Sequence, residues 1–198
     1  MLNPDLPYST HGRTAPEGFA CRSAVRCFLY SLREEPRQIE RLKHLGNLED
    51  LGKFEVELYR PNRFIGSDWS RAHYWDELEE SFLQNSLIFL DPDTGFETRT
   101  KAGEKHLRFG EALELLNKLD ERSSLVVFQY RPQGQTWRDV LDRISADARL
   151  AFFRVAVCGN TGLAMLAKYE ALNERIEGAL KAYGSTHTEV EIIAKDNA

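Results

Sequence analysis

The feature of the sequence that most restricts the fold is a short apolar run at residues 86–90 that ends abruptly in a turn. The run reads Ser-Leu-Ile-Phe-Leu, and residues 91–95 read Asp-Pro-Asp-Thr-Gly. A run of this length, stopped by Pro, Asp and Gly, is typical of a strand buried on both faces. We therefore expect a central strand that ends in two carboxylates, Asp91 and Asp93, with Glu97 close behind them.

Strands and helices are predicted in alternation along the rest of the chain. Continuous or alternating apolar residues indicate strands, and apolar residues at helical spacing indicate helices. The Gly-Asn-Thr-Gly sequence at residues 159–162 favours a hairpin between two strands. The predicted strands are residues 24–30, 54–59, 86–90, 124–130, 149–157, 163–168 and 189–193, and the predicted helices are residues 68–82, 109–119, 136–145 and 172–183.

This order of elements predicts the class of fold. Strands that alternate with helices indicate a three-layer, Rossmann-like α/β sheet, mostly parallel, with an antiparallel edge formed by the C-terminal hairpin. Residues 1–22 are rich in Pro and Gly, so we expect an irregular N-terminal arm there. Residues 23–198 are then expected to form a single α/β domain.

Composition restricts the partners that the chain can have. The formal net charge of −5 gives no overall positive field toward nucleic acid or anionic lipid, although a local basic face stays open. No apolar stretch approaches the roughly 18 residues of a membrane span, and the first residues lack the apolar core of a signal peptide. Three cysteines suit a reducing compartment. We expect a cytoplasmic protein with no membrane partner, and its oligomeric state stays open.

The acidic turn, residues 91–97, is the best candidate site because ligands bind at the carboxyl ends of strands in open α/β sheets. If the turn folds back, Asp91, Asp93 and Glu97 can approach one hard cation such as Mg²⁺. Such an ion polarises a phosphoryl oxygen or activates water. The alternative is that Asp-Pro-Asp-Thr-Gly is turn chemistry alone, with Asp91 bonding to backbone amides.

Four further side chains are predicted to join this site. Lys105 could meet a phosphate and His106 could act as a base, although both also suit a solvated loop. Gln129 and Arg131 end the next predicted strand, where they would face the acidic turn across a crevice. The alternative for these two is a satisfied buried amide at Gln129 and an ion pair between Arg131 and Asp93.

The acidic turn is similar to the Asp-Pro-Pro-Tyr motif of amino-group methyltransferases. Asp91 and Pro92 match that motif, whereas Asp93 replaces the second Pro and Thr94 replaces the aromatic residue. The resemblance covers about residues 85–168 and implies a methyltransferase-like sheet, S-adenosylmethionine as cofactor, and an amine gathered at the turn. The strand at residues 24–30 is not followed by the Gly-x-Gly of that family, so the resemblance implies a missing or divergent cofactor site.

A second resemblance covers more of the chain. Residues 89–97, 105–106 and 126–132 read Phe-Leu-Asp-Pro-Asp-Thr-Gly-Phe-Glu, Lys-His and Val-Val-Phe-Gln-Tyr-Arg-Pro. This pattern resembles an uncharacterised bacterial and phage-borne family across about residues 24–168. The resemblance implies that the three segments form one site, and it brings no known reaction.

Three hypotheses about function follow from these residues and from the two resemblances. The first is a methyltransferase-like enzyme acting on a nucleotide or nucleic acid, in which Asp91 orients the reacting amine or hydroxyl. The second is a Mg²⁺-dependent phosphoesterase or nuclease, in which Asp91, Asp93 and Glu97 bind the metal and Lys105 stabilises phosphoryl oxygens. The third is a non-catalytic binding or regulatory protein of a phage or mobile element. The candidate catalytic residues are Asp91, Asp93 and Lys105, and the candidate substrate-binding residues are Glu97, His106, Gln129 and Arg131.

Overall fold

The computed structural model describes residues 39–47, 54–57, 59, 76, 78–98, 103, 105–148, 152–186 and 190–195. The chain divides into two compact units, Met1–Phe64 and Ile65–Ala198. The predicted arm at residues 1–22, the strand at 24–30 and most of the helix at 68–82 lie outside the described residues. The division between an arm and a single domain therefore stays a prediction.

The first unit contributes one short helix to the described part of the chain. A 3-10 helix spans Ile39–Asn47. Residues 54–57 adopt no regular structure, and Phe54 is exposed, although the alternation there predicted a strand. Alternation alone does not make a strand, because a strand needs a neighbour to satisfy its backbone. No described strand pairs with residues 54–57.

The second unit contains every described strand and α-helix. The predicted strands from residue 86 onward and the three later predicted helices all form, with ends shifted by a few residues. In chain order the elements are a 3-10 turn at Glu80–Leu83, β1 (Leu87–Leu90), α1 (Phe109–Lys118), β2 (Ser124–Tyr130), α2 (Trp137–Ala148), β3 (Phe152–Cys158), β4 (Thr161–Ala167), α3 (Glu170–Thr186) and β5 (Glu191–Lys195).

The prediction of a three-layer, Rossmann-like, mostly parallel sheet was wrong. The five strands lie in the order β1-β2-β4-β3-β5, and only β1 and β2 are parallel neighbours. The pairs β2–β4, β4–β3 and β3–β5 are all antiparallel. The hairpin of β3 and β4 is not at the edge of the sheet, because β4 lies between β2 and β3 and so separates two strands that run in the same direction.

One face of the sheet lies beneath α2 and is fully buried at its centre, on β2, β4 and β3. Side chains on this face include Leu125, Val127, Val155 and Leu166, each no more than 1% exposed. The ring of Trp137, at the start of α2, lies so close to Gly162 on this face that a Cβ there would be 2.8 Å from it. Burial of this apolar surface is the main source of stability, at about 25 cal/mol per Å².

The other face is covered only in part by described elements. Helix α3 packs against β3, β4 and β5. Its Glu177 carboxylate bonds at 3.2 Å to the buried Arg154 guanidinium of β3. Over β1 and β2 the same face is more open. We call this region the open sheet face, and its residues are Leu87 and Phe89, which are 66% and 53% exposed, and the half-buried Phe128 and Tyr130.

The prediction that residues 86–90 form a central strand buried on both faces was therefore wrong. Strand β1 lies at one end of the described sheet and pairs only with β2 there. Leu87 and Phe89 point to the exposed face, whereas Ile88 and Leu90 are half-buried. An apolar run does not distinguish the two cases, because both need apolar side chains on at least one face.

Polar contacts hold the amino ends of β1 and β2 together. The hydroxyl of Ser123, which is 0% exposed, accepts the Ser86 N–H at 2.9 Å and lies within hydrogen-bonding distance of the Asp120 carboxylate. The other oxygen of Asp120 accepts the N–H of Asn85 at 3.1 Å. These bonds lower the pKa of Asp120, and the bond to Ser123 has the largest effect.

Among the described residues, no helix is both long enough and apolar enough to cross a bilayer.

Candidate functional site at the carboxyl ends of β1 and β2

The parallel pairing of β1 and β2 brings the acidic turn to the end of β2. Leu90, the last residue of β1, lies opposite Val127. Because the two strands run in the same direction, Asp91 leaves β1 at the same end of the sheet at which Tyr130 and Arg131 leave β2. The residues predicted to share a site therefore come from two adjacent strand ends.

The side chain of Gln129 holds the acidic turn from the inside. Gln129 is 1% exposed, its Oε1 accepts the N–H of Phe96 at 2.8 Å, and its Nε2 donates to the carbonyl oxygen of Tyr130 at 2.5 Å. Gly95 lies directly against this amide, with φ at +91°. A Cβ on Gly95 would be 2.5 Å from Oε1 of Gln129. Gln129 is thus a buried amide with its hydrogen bonds satisfied. Its Oε1 positions the turn by accepting a hydrogen bond from the turn backbone.

The segment that precedes α1 holds the turn from the other side. The N–H of Leu107 donates to the carbonyl oxygen of Gly95 at 2.9 Å. The N–H of Glu97 donates in turn to the carbonyl oxygen of Leu107, also at 2.9 Å. The ring of Phe96 stacks on that of Phe109, with centroids 4.8 Å apart. These contacts place Lys105 beside the start of the turn.

The exposed part of the site combines two carboxylates, an ammonium group and a phenol. Lys105 Nζ lies 3.7 Å from Oδ2 of Asp93, and their side chains are 68% and 40% exposed. Burial raises the pKa of Tyr130, and the negative charges of Asp91 and Asp93 raise it further. Both carboxylates therefore act on one hydroxyl group. An exposed pair such as Lys105 and Asp93 contributes at most about 1 kcal/mol, so a ligand can separate it.

Glu97 does not join the two aspartates. Its Oε1 accepts the N–H of Phe109 at 3.0 Å, so it satisfies an amide at the start of α1 that has no partner within the helix. Among the described residues, no three His, Cys, Asp or Glu side chains form a group that could hold a metal ion. The Mg²⁺ ligand set predicted from Asp91, Asp93 and Glu97 is thus not gathered in this structure.

His106 and Arg131 occupy separate positions. His106 Nδ1 accepts the N–H of Gly103 at 3.3 Å, within the loop that precedes α1. The guanidinium of Arg131 donates from Nη2 to Oδ1 of Asn160 at 2.5 Å, and the Arg131 N–H donates to the Asn160 carbonyl oxygen at 2.9 Å. The alternative pairing of Arg131 with Asp93 is not observed, and Asp93 pairs with Lys105 instead.

A pocket of about 430 Å³ adjoins the end of β2. It combines the loop after β2 with the tip of the β3–β4 hairpin, and its lining is polar apart from Pro132 and Gly134. The lining residues, which we call the Arg131 pocket, are Arg131, Pro132, Gln133, Gly134, Gln135 and Asn160.

Three residues at this end of the sheet were not predicted from the sequence to belong to a site: Tyr130, Gln135 and Asn160. Tyr130 follows Gln129 in β2, and the alternation of a strand would have placed its side chain on the opposite face from the buried amide. Asn160 was interpreted only as a hairpin residue, and Gln135 was given no interpretation. The proximity of Asn160 to Arg131 depends on the pairing of β4 with β2, for which the local sequence holds no signal.

The fold and the site together define a mixed α/β sheet protein with a polar site across two parallel strand ends. No known protein family, curated protein or solved structure matches the chain. The resemblances to amino-group methyltransferases and to a phage-borne family remain predictions.

Proposed function

We propose that the acidic turn and the open sheet face bind the base of a nucleotide or nucleic acid, and that the protein is an enzyme acting on that base. The observation that carries this proposal is the parallel pairing of β1 and β2, which brings the exposed Asp91 and Asp93 to the end of the sheet that bears Tyr130. The exposed aromatic side chain of Phe89 lies on the same face of the sheet as Tyr130.

Carboxylates are suited to the amino edge of a base. Asp and Glu accept hydrogen bonds from exocyclic amines, as in the recognition of cytosine N4 by proteins that read DNA. Asp91 and Asp93 are exposed acceptors, and Asp93 bonds to Lys105 only through a solvated pair. In the proposed site Asp91 accepts a hydrogen bond from the amine of the base and so orients it.

The open sheet face supplies a surface on which a base can stack. Phe89 is 53% exposed on β1, and Phe128 and Tyr130 lie on the same face of β2 in an edge-on pair with centroids 4.9 Å apart. Stacking of a base on an aromatic side chain contributes roughly 1–3 kcal/mol and tolerates every base. The aromatic side chains would therefore provide affinity, and the carboxylates would provide the choice of base.

The metal-dependent phosphoesterase or nuclease has less support. Such an enzyme needs several carboxylates on one cation. Glu97 instead bonds to the backbone of α1, and no metal-binding group occurs among the described side chains. The base-directed function requires only the two exposed carboxylates that the structure does bring together around Tyr130.

The proposal is tested by calorimetric titration with matched nucleoside pairs, adenosine against inosine and cytidine against uridine. The members that carry an exocyclic amine are expected to bind about tenfold tighter, which corresponds to one hydrogen bond of about 1.4 kcal/mol. Asp91→Asn and Asp93→Asn should reduce that preference, and Phe89→Ala should weaken all four nucleosides alike.

Matched controls separate these effects from general damage. Glu121→Gln removes an exposed charge beyond α1, and Tyr183→Ala removes an exposed ring from α3. Neither variant should change any affinity. Equal binding of both members of each pair, or no binding of any nucleoside, would refute the proposed function. Thermal-shift measurement with S-adenosylmethionine then tests whether the enzyme is methyltransferase-like, since a ligand of the native state raises the melting temperature.

A further inference from the structure

The Arg131 pocket lies outside the proposed base site and contains the positive charge of Arg131. It has a volume of about 430 Å³, and the described residues that line it include Arg131 and three residues with side-chain amides, Gln133, Gln135 and Asn160. The charges of the acidic turn act on Tyr130, and the pocket begins at Arg131, the next residue of the chain.

The orientation of Arg131 is fixed by the hairpin. Its Nη2 donates to Oδ1 of Asn160, and its backbone N–H donates to the carbonyl oxygen of the same residue. A guanidinium carries five N–H donors in a planar fork, and the bond to Asn160 uses one of them. A held fork loses less side-chain entropy when it binds an anion than a mobile one does.

The amino terminus of α2 does not supply the positive charge at this pocket. The Asp139 carboxylate accepts the N–H of Thr136 at 2.7 Å, and the Thr136 hydroxyl accepts the N–H of Asp139 at 3.1 Å. These reciprocal bonds already cap the helix. Among the described residues that line the pocket, Arg131 is the only cation.

We propose that the Arg131 pocket binds the phosphate group of the nucleotide whose base lies at the acidic turn. A guanidinium and a phosphate form paired, charge-assisted hydrogen bonds, and side-chain amides add neutral donors. A ligand that lies across the ends of β1 and β2 places its base against the carboxylates and its phosphate at the fork. This inference rests on the proposed function, because it names the phosphorylated form of the same ligand.

The first experiment compares adenosine with its 5′- and 3′-monophosphates by calorimetric titration. At least one monophosphate is expected to bind tenfold to a hundredfold tighter than the nucleoside, as a charge-assisted bond would give. Arg131→Ala should abolish that difference and leave the affinity for adenosine unchanged. Asn160→Ala should reduce the difference in part. The control Arg138→Ala, at an exposed position of α2, should leave it intact.

A second experiment probes the pocket without a base. Inorganic phosphate is titrated into ¹⁵N-labelled protein, and the amide signals of Gln135 and Asn160 are followed in wild type and in Arg131→Ala. Shifts that saturate in wild type and vanish in the variant support the pocket as a phosphate site, even if no nucleoside binds.

The outcomes distinguish the two proposals. If adenosine binds but its monophosphates bind no tighter, the phosphate assignment is overturned and the base site stands. If no nucleoside binds but phosphate shifts the pocket amides through Arg131, the base site is overturned and the phosphate site stands. If neither monophosphates nor phosphate depend on Arg131, the phosphate assignment is wrong. Circular dichroism of Arg131→Ala should match that of wild type, since the side chain is exposed.

Discussion

The backbone N–H of Phe96 donates a hydrogen bond of 2.8 Å to Oε1 of Gln129, a residue 33 positions later in the chain. This bond fastens the loop after β1 to the end of β2 from the buried side. The exposed side of the same loop carries Asp91 and Asp93. The position of the two carboxylates therefore depends on an amide that no ligand needs to touch.

The first prediction concerns that amide. Gln129→Leu removes the acceptor of the Phe96 N–H and leaves this donor unsatisfied in a buried position. The free energy of unfolding is expected to fall by about 1–3 kcal/mol, measured by urea denaturation. The control is Gln84→Ala, at an exposed amide that bonds to Glu80, and its effect should stay within about 0.5 kcal/mol. Equal stability of the two variants would contradict the positioning role of Gln129.

The second prediction concerns Gly95. Its φ of +91° is unfavourable for alanine, and a Cβ would also overlap the amide of Gln129. Gly134 has a φ of +78° with open space around it, so Gly134→Ala measures the backbone cost alone, about 1–2 kcal/mol. Gly95→Ala is expected to destabilise the protein by at least about 1 kcal/mol more than Gly134→Ala. The extra cost should shrink in the double variant Gly95→Ala/Gln129→Ala, because the overlap is gone.

The third prediction concerns acid unfolding. The bond from Ser123, with those from the Asn85 and Arg122 amides, holds the pKa of Asp120 below its ordinary value in the folded protein. A depressed folded pKa gives stability that is present above the unfolded pKa of about 4 and is lost as the pH falls through the folded pKa. Asp120→Asn and Ser123→Ala should therefore flatten the fall in unfolding free energy between neutral pH and about pH 3.

The measurement for this third prediction is a series of urea denaturation curves at stepped pH. Glu121→Gln, at the exposed neighbouring position, serves as the matched control and should keep the wild-type slope. A wild-type slope in Ser123→Ala would show that the hydroxyl does not hold the Asp120 charge.

The fourth prediction concerns Tyr130. Burial raises the pKa of its hydroxyl most, and the charges of Asp91 and Asp93 add to that increase. The double variant Asp91→Asn/Asp93→Asn removes the two charges, so the pKa of Tyr130 should fall toward about 10 while the contribution of burial remains. Tyrosinate absorbance gives this pKa when the titration of a Tyr130→Phe reference is subtracted. Glu114→Gln, on the exposed side of α1, should leave it unchanged.

The sequence predicted local structure better than it predicted strand pairing. Apolar patterns located α1 and β2 within a few residues, because a helix buried on one side and a strand buried on both faces each leave a local pattern. The pairing of β4 with β2 depends on contacts between distant residues, such as Val127 with Ala164, and no local pattern encodes them. Together with the antiparallel pairing of β3 and β5, it gives a mixed sheet where a mostly parallel sheet was expected.

The candidate site shows the same limit. The acidic turn and the strand that bears Gln129 were expected at one end of the sheet, and the structure brings them into direct contact. The role of Glu97 was not foreseeable, because a carboxylate after a turn suits a metal ligand and a helix cap equally well. No role was predicted for Tyr130, because its pKa is affected by two carboxylates in the turn after another strand, β1.

The place of β4 between β2 and β3 also determines when this domain can fold during synthesis. When the nascent chain has emerged from the ribosome only as far as β3, strand β4 is not yet available to pair with the inner edge of β2. Non-local pairing of this kind is slow compared with helix formation, and it exposes apolar surface in the meantime. The centre of the domain is therefore expected to form only after the hairpin has emerged, as a late step in translation.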